Sequence, residues 1–91
     1  MKSIYIEEHG GTEVLTYGDL PEPLVKPGSV KVRIRACSVN RLDAFTRAGI
    51  RGTRLPLTKP HILGGDASGD IVEVGKDVTE VNVGDKVVIN P

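Results

Sequence analysis

The sequence has 91 residues, with 12 basic and 12 acidic side chains, so its formal net charge is zero. Hydrophobic residues make up 38% of it and charged residues 26%, which is typical of a soluble globular domain. A balanced charge and only 3% aromatic residues argue against nucleic-acid binding and against an anionic membrane surface, since both favour clustered positive charge. Because the length is close to that of one common domain, we predict a single domain over residues 1–91.

Cysteine usage and hydropathy indicate the compartment. Cys37 is the only cysteine, so the chain cannot form an internal disulfide, which fits a reducing environment. The first eight residues are too polar for a secretory signal, and no stretch approaches the length of a membrane span. We therefore expect a cytoplasmic protein.

The predicted elements begin with strands. Eleven glycines and six prolines separate short apolar runs, which predicts strands joined by turns. The first two predicted strands cover residues 2–7 and 14–17, and a proline-rich loop follows them. Residues 30–36 alternate most clearly and predict a strand with one buried and one solvent-exposed face. The apolar face of that strand consists of Val30, Val32, Ile34 and Ala36.

A short helix follows this strand. It is predicted over residues 41–48, because Asn40 is a good N-cap and Gly49 a good C-terminal stop. Residues 50–66 are rich in glycine and proline and predict a long loop, which in a compact domain is usually functional. The last third predicts strands again and ends in an apolar, apparently buried run at residues 87–89. Five or more strands with one helix favour a closed or nearly closed β-barrel.

Three segments carry a family pattern. They read PGSVKVRI and ACSVNRLD (27–34 and 36–43), PHILGGDASG (60–69), and VEVG with VNVGDKV (72–75 and 81–87). In this order and spacing they resemble the medium-chain dehydrogenase/reductase superfamily, which includes zinc-type alcohol dehydrogenases and quinone oxidoreductases. The resemblance implies a mostly β fold, a GroES-like partly open β-barrel with one short helix. It also implies an N-terminal, substrate-side domain of a two-domain oxidoreductase, with the Rossmann domain absent from this chain.

The same resemblance implies the cofactor. It is NAD or NADP, bound mainly by the missing Rossmann domain. The sequence contains no G-x-G-x-x-G after a strand, so nothing in it cradles a pyrophosphate by itself. We therefore expect the isolated 91-residue fragment to bind neither NADH nor NADPH and to be inactive. The full-length protein is expected to be a homo-oligomer that acts on a small-molecule carbonyl substrate.

The metal ligands of the zinc-dependent relatives are missing. In those relatives a cysteine ligand stands where Asn40 is, a histidine ligand where Gly65 is, and an acid where Asp66 is. A catalytic zinc needs about three protein ligands, so no catalytic zinc and no metal-binding residue are expected. The proton-relay positions hold Leu42 and Phe45, neither of which transfers protons. These departures favour the zinc-independent, quinone-oxidoreductase-like branch, in which Val-Asn-x-x-Asp is frequent at this point of the chain.

Three residues are candidates for the site. Asn40 can donate a hydrogen bond to a substrate oxygen or to the nicotinamide ribose, and it can equally serve only as a helix cap. Phe45 offers a flat apolar wall to a ring substrate, with burial in a core as the alternative. Arg41 matches a position that contacts the cofactor pyrophosphate in some family members, although a plain surface arginine is equally consistent. Asn40 and Phe45 are thus candidate catalytic residues, and Arg41 is a candidate cofactor-binding residue.

The predicted function is zinc-independent, NAD(P)H-dependent reduction of a quinone, enone or related carbonyl compound. One alternative is a relative of the zinc-type alcohol dehydrogenases whose ligands in this domain have been lost. Another is a free-standing GroES-like co-chaperonin or interaction barrel. The co-chaperonin alternative leaves the segments at residues 36–43 and 63–69 unexplained.

Overall fold

The computed structural model describes residues 1–90. Their regular structure is mostly β, with one α-helix and a single turn of 3-10 helix, which confirms the predicted fold class. The observed helix has the predicted bounds. The elements are β1 (Lys2–Ile6), the 3-10 helix (Thr12–Val14), β2 (Thr16–Asp19), β3 (Val30–Cys37), α1 (Arg41–Ala48), β4 (His61–Ile62), β5 (Ala67–Val74) and β6 (Lys86–Val88).

The described residues form two compact units. The first consists of Met1–Pro21 and Val39–Gly65, and the second of Glu22–Ser38 with the described residues from Asp66 onward. The first unit contains α1 and an antiparallel sheet of strand order β2-β1-β4. The second contains an antiparallel sheet of order β3-β5-β6. A single domain over residues 1–91 stays a prediction.

In the first unit, β1 is the central strand. Its end at Tyr5 and Ile6 pairs with β4, and Ile6 is fully buried. Ile4 lies on the same face but is 54% exposed, because β4 does not extend to that part of β1. β4 lies within the predicted loop over residues 50–66, so this loop contains a short strand.

The second predicted strand is displaced along the chain. Residues around Val14 form the 3-10 turn, in which the Val14 N–H donates to Gly11 O at 3.2 Å, and β2 begins only at Thr16. Such i→i+3 bonds satisfy backbone groups locally, so these residues do not join the ladder. The predicted strand at residues 14–17 is thus correct only in its second half.

In the second unit, β5 is the central strand and Ile71 is its buried core residue, 1% exposed. The register between β3 and β5 shifts between Lys31 and Val32 and again between Ile34 and Ala36. The first extra residue is Val72 on β5, and the second is Arg35 on β3. A bulge interrupts strict alternation on the strand that carries it. The prediction of one continuous buried face on β3 is wrong: Ile34 is 49% exposed, on a strand that pairs only with β5 at the edge of its sheet.

The predicted buried run at residues 87–89 is also corrected. Its middle residue, Val88, is 80% exposed. The reason is topological, since β6 pairs only with β5 and lies at the edge of its sheet. No helix among the described residues is long and apolar enough to cross a membrane.

Candidate functional site

A capping box fixes the N-terminal end of α1. The Asn40 side-chain oxygen accepts a hydrogen bond from the Leu42 N–H at 3.1 Å. In return, the Asp43 carboxylate accepts one from the Asn40 N–H at 2.9 Å. These reciprocal bonds satisfy backbone donors that the first turn of a helix leaves open. The predicted N-cap is confirmed, and the Asn40 side chain is held at the exposed start of the helix.

The C-terminal end of α1 is fixed by Gly49. Its φ of 73° lies in the left-handed region, and its N–H donates to Phe45 O at 2.8 Å. Gly10 and Arg47 add two reciprocal bonds, from Gly10 N–H to Arg47 O at 3.0 Å and from Arg47 Nε to Gly10 O at 3.1 Å. The last turn of the helix is therefore tied to the segment that follows β1.

His9 completes this attachment. Its Nε2 accepts a hydrogen bond from the Leu55 N–H at 3.0 Å, and its Nδ1 lies 2.9 Å from Thr46 O. Since Nε2 accepts this bond, Nδ1 is the nitrogen that can donate to the Thr46 carbonyl. No role for His9 was predictable from the sequence, because its partners lie 37 and 46 residues away along the chain.

A small open cavity of about 140 Å³ lies beside α1. Its volume is close to the roughly 150 Å³ of an apolar protein cavity that binds benzene, so it has room for one ring or a comparable group. Leu42 and Gly65 both line it. The cavity thus brings together Leu42, at a proton-relay position of the zinc-dependent relatives, and Gly65, at one of their zinc-ligand positions. The lining residues are Leu42, Asp43, Thr46, His61, Leu63, Gly64 and Gly65.

The three sequence-predicted site residues lie on α1 or at its start, and none of them lines this cavity. Phe45 is half-buried, and the guanidinium carbon of Arg51 lies 5.1 Å from its ring centroid. Arg41 is exposed and stands one helical turn before Phe45, so the two share a face of the helix. Arg51 was not identified from the sequence, because its position over the ring depends on the turn after α1.

That turn has an unusual backbone. Arg51 and Gly52 have φ values of 54° and 76°, and the Thr53 N–H donates to Ile50 O at 3.2 Å. Two successive left-handed residues closed by this bond define a type I′ turn, which favours glycine, asparagine and aspartate. An arginine at its first central position is therefore uncommon.

The residues of this region do not form a zinc site. Within residues 1–90 no group of three or more His, Cys, Asp or Glu is placed to hold a metal ion. Asn40 and Gly65 supply neither a thiolate nor an imidazole, and the donor set does not fit a catalytic zinc. We therefore derive no chemical step through a metal.

The second unit has a polar cluster on its sheet. Arg35 Nε lies 2.8 Å from Asp70 Oδ2, and Lys86 Nζ lies 3.7 Å from Asp70 Oδ1. The hydrogen bond from Arg35 lowers the pKa of the Asp70 carboxyl below its usual value. A cavity of about 270 Å³ adjoins this cluster. The cavity beside α1 is the candidate site, because α1 lines it and carries Arg41 and Phe45, with Asn40 at its start.

The fold and these residues define the class of the chain. It belongs to the family of alcohol dehydrogenase GroES-like domains, whose model matches residues 26–91. This confirms the resemblance to the N-terminal domains of the medium-chain dehydrogenase/reductase superfamily.

Individual relatives support the same assignment. The chain is 36% identical over 86 residues to a quinone oxidoreductase of Pseudomonas aeruginosa, covering 94% of this chain and 26% of that protein. It is similar in structure to an Escherichia coli quinone oxidoreductase complexed with NADPH, with a TM-score of 0.85, 30% identity, and coverage of 97% and 26%. An NAD-dependent alcohol dehydrogenase structure matches with a TM-score of 0.88, 44% identity, and coverage of 100% and 26%. The chain thus spans 26% of the length of each of these relatives.

Proposed function

We propose that residues 1–91 are the substrate-side domain of an NAD(P)-dependent oxidoreductase that reduces a quinone, enone or related carbonyl compound without catalytic zinc. The observation that carries this proposal is the cavity beside α1, where Leu42 and Gly65 replace a relay residue and a zinc ligand. The Rossmann domain that binds NAD or NADP and a homo-oligomeric state belong to the same proposal. A cytoplasmic location is also part of this proposal, because the exposed free thiol of Cys37 suits a reducing compartment.

The chain's own residues bind and orient the substrate. When bound, the nicotinamide supplies the hydride. Conjugate reduction also needs a hydrogen-bond donor where negative charge develops on the substrate oxygen, and a ring held in alignment. Asn40 is the proposed donor, through an amide whose orientation the capping box fixes. Phe45, which precedes the lining residue Thr46 on α1, is the proposed wall for the ring, and Arg41 anchors the cofactor pyrophosphate.

Two variants of Asn40 separate its roles as cap and as donor. Aspartate caps a helix as well as asparagine does, but an ionised carboxylate has no N–H to donate. In the intact enzyme, both Asn40→Asp and Asn40→Ala are expected to lower kcat by about 10²–10³-fold. Only Asn40→Ala should also lose about 1 kcal/mol of stability through the lost cap. Wild-type turnover in Asn40→Asp would show that Asn40 is only a cap.

The kinetic assay uses NADH and NADPH in turn, with a metal chelator present throughout. Arg41→Ala is included and is expected to raise the KM for the cofactor more than it lowers kcat. Activity that disappears with the chelator and returns with zinc would refute the zinc-independent mechanism. It would favour the zinc-type alcohol dehydrogenase alternative, which the 44% identity to an NAD-dependent alcohol dehydrogenase supports.

A further inference from the structure

Arg51 occupies an unfavourable backbone position beside the proposed ring wall. Its φ of 54° is left-handed, a conformation that disfavours residues with a side chain other than asparagine or aspartate. Its guanidinium carbon nevertheless lies 5.1 Å from the Phe45 centroid, within the range of a cation–π contact. Residues held in unfavourable backbone conformations are found most often at functional sites, so the position of Arg51 supports a functional hypothesis.

Among residues 1–90, no carboxylate lies within 4.0 Å of this guanidinium. Among residues 1–90, the ion pairs within 4.0 Å join Lys2 to Asp19, Lys31 to Glu22, and both Arg35 and Lys86 to Asp70, so none involves Arg51. The surrounding segment, residues 41–59, is cationic within a chain of zero net charge. Its charged residues are Arg41, Arg47, Arg51, Arg54 and Lys59 against the single acid Asp43.

The geometry points to a substrate that carries an anionic group. We propose that Arg51, held over Phe45, binds a carboxylate on the substrate, so that the enzyme prefers acidic enones or quinones to neutral ones. A guanidinium that lies over a ring keeps in-plane N–H donors that match a carboxylate in pairs. Because Arg51 contacts the ring proposed to hold the substrate, we assign its ligand to the substrate, and binding to the cofactor is an outcome of the test. This inference rests on the proposed function and names its substrate class.

The test compares two ligands that differ by one aromatic carboxylate. These are benzylideneacetone and 4-carboxybenzylideneacetone, which share the same enone. Calorimetry measures their affinities for the intact enzyme saturated with NADP⁺, so that binding is read without turnover. Exposed ion pairs are worth up to about 1 kcal/mol, and we therefore expect the acid to bind about three- to fivefold more tightly.

Three variants assign the preference to Arg51. Arg51→Asn suits the left-handed turn and removes the charge, and it is expected to bind both ligands about equally. Arg51→Lys keeps the charge but not the planar donors, and should retain part of the preference. Arg54→Asn, the matched control, removes an exposed arginine three residues further on and should retain all of it. Circular dichroism checks that each variant is folded.

Each other outcome overturns the inference. Equal binding of the two ligands to the wild type, or an undiminished preference in Arg51→Asn, would exclude the contact. An equal loss in Arg54→Asn would assign the effect to the general charge of residues 41–59. A change in NADP⁺ affinity alone in Arg51→Asn would place the guanidinium on the cofactor. Turnover with NADPH is measured separately, with both enones and with a benzoquinone. Failure to reduce any of them refutes the proposed function, while the binding ratio still decides the role of Arg51.

Discussion

The replacement of Gly49 by alanine tests how the C-terminal end of α1 is held. An added Cβ would lie 2.8 Å from His9 Cγ and 3.0 Å from Nδ1, atoms near the base of the side chain that cannot easily move away. At a φ of 73°, the left-handed backbone alone costs about 1–2 kcal/mol for alanine. Displacing His9 adds about 1 kcal/mol for each of its bonds to Thr46 and Leu55. We expect a total loss of about 3–4 kcal/mol.

Gly52→Ala is the matched control. Its φ of 76° is nearly the same as that of Gly49, but nothing lies within 4 Å of its added Cβ. It should therefore lose only the backbone cost of about 1–2 kcal/mol. Urea denaturation followed by circular dichroism measures both free energies of unfolding. Hydrogen exchange at the Leu55 amide, which donates to His9, should accelerate in Gly49→Ala and much less in Gly52→Ala.

Equal losses in the two variants would refute this reasoning, because the steric contact with His9 would then contribute nothing. A double-mutant cycle with His9→Ala gives an independent check. If the contact is real, Gly49→Ala should cost less in the His9→Ala background, since the ring that blocks the Cβ is gone. An unchanged cost in that background would also contradict the proposed attachment.

Two further predictions concern the sheet of the second unit. Gly69→Ala would place a Cβ against the backbone oxygen of Arg33, and the expected loss is about 3 kcal/mol or more, or failure to fold, measured by urea denaturation. Asp70→Asn should lower the urea midpoint at pH 7. The lowered pKa of Asp70 means that its ion pair with Arg35 stabilises the fold above the unfolded-state pKa of about 4 and is lost as the pH falls through the lower folded value. The gap between wild type and Asp70→Asn should therefore close near pH 2, and a gap that persists there would contradict this assignment.

Features that depend on near neighbours were predictable from the sequence alone. The bounds of α1 were predicted correctly because Asn40, Asp43 and Gly49 act on the helix within a few residues of themselves. The family pattern was equally local, since each of its segments is contiguous, and the family match confirms it. The candidate roles of Asn40, Arg41 and Phe45 stay predictions, because they concern a substrate and a cofactor.

Which residues meet across the chain depends on the tertiary fold. The contacts of His9 span 37 to 46 residues, and the cavity joins Leu42 to Gly65 across the helix and loop that separate them. The edge positions of β3 and β6 likewise depend on strand pairing, and for that reason the predicted burial of Ile34 and Val88 was wrong. Alternation of apolar residues indicates which side chains of a strand can be buried. Burial also requires a surface that packs against those side chains, and strand pairing and register determine where that surface lies.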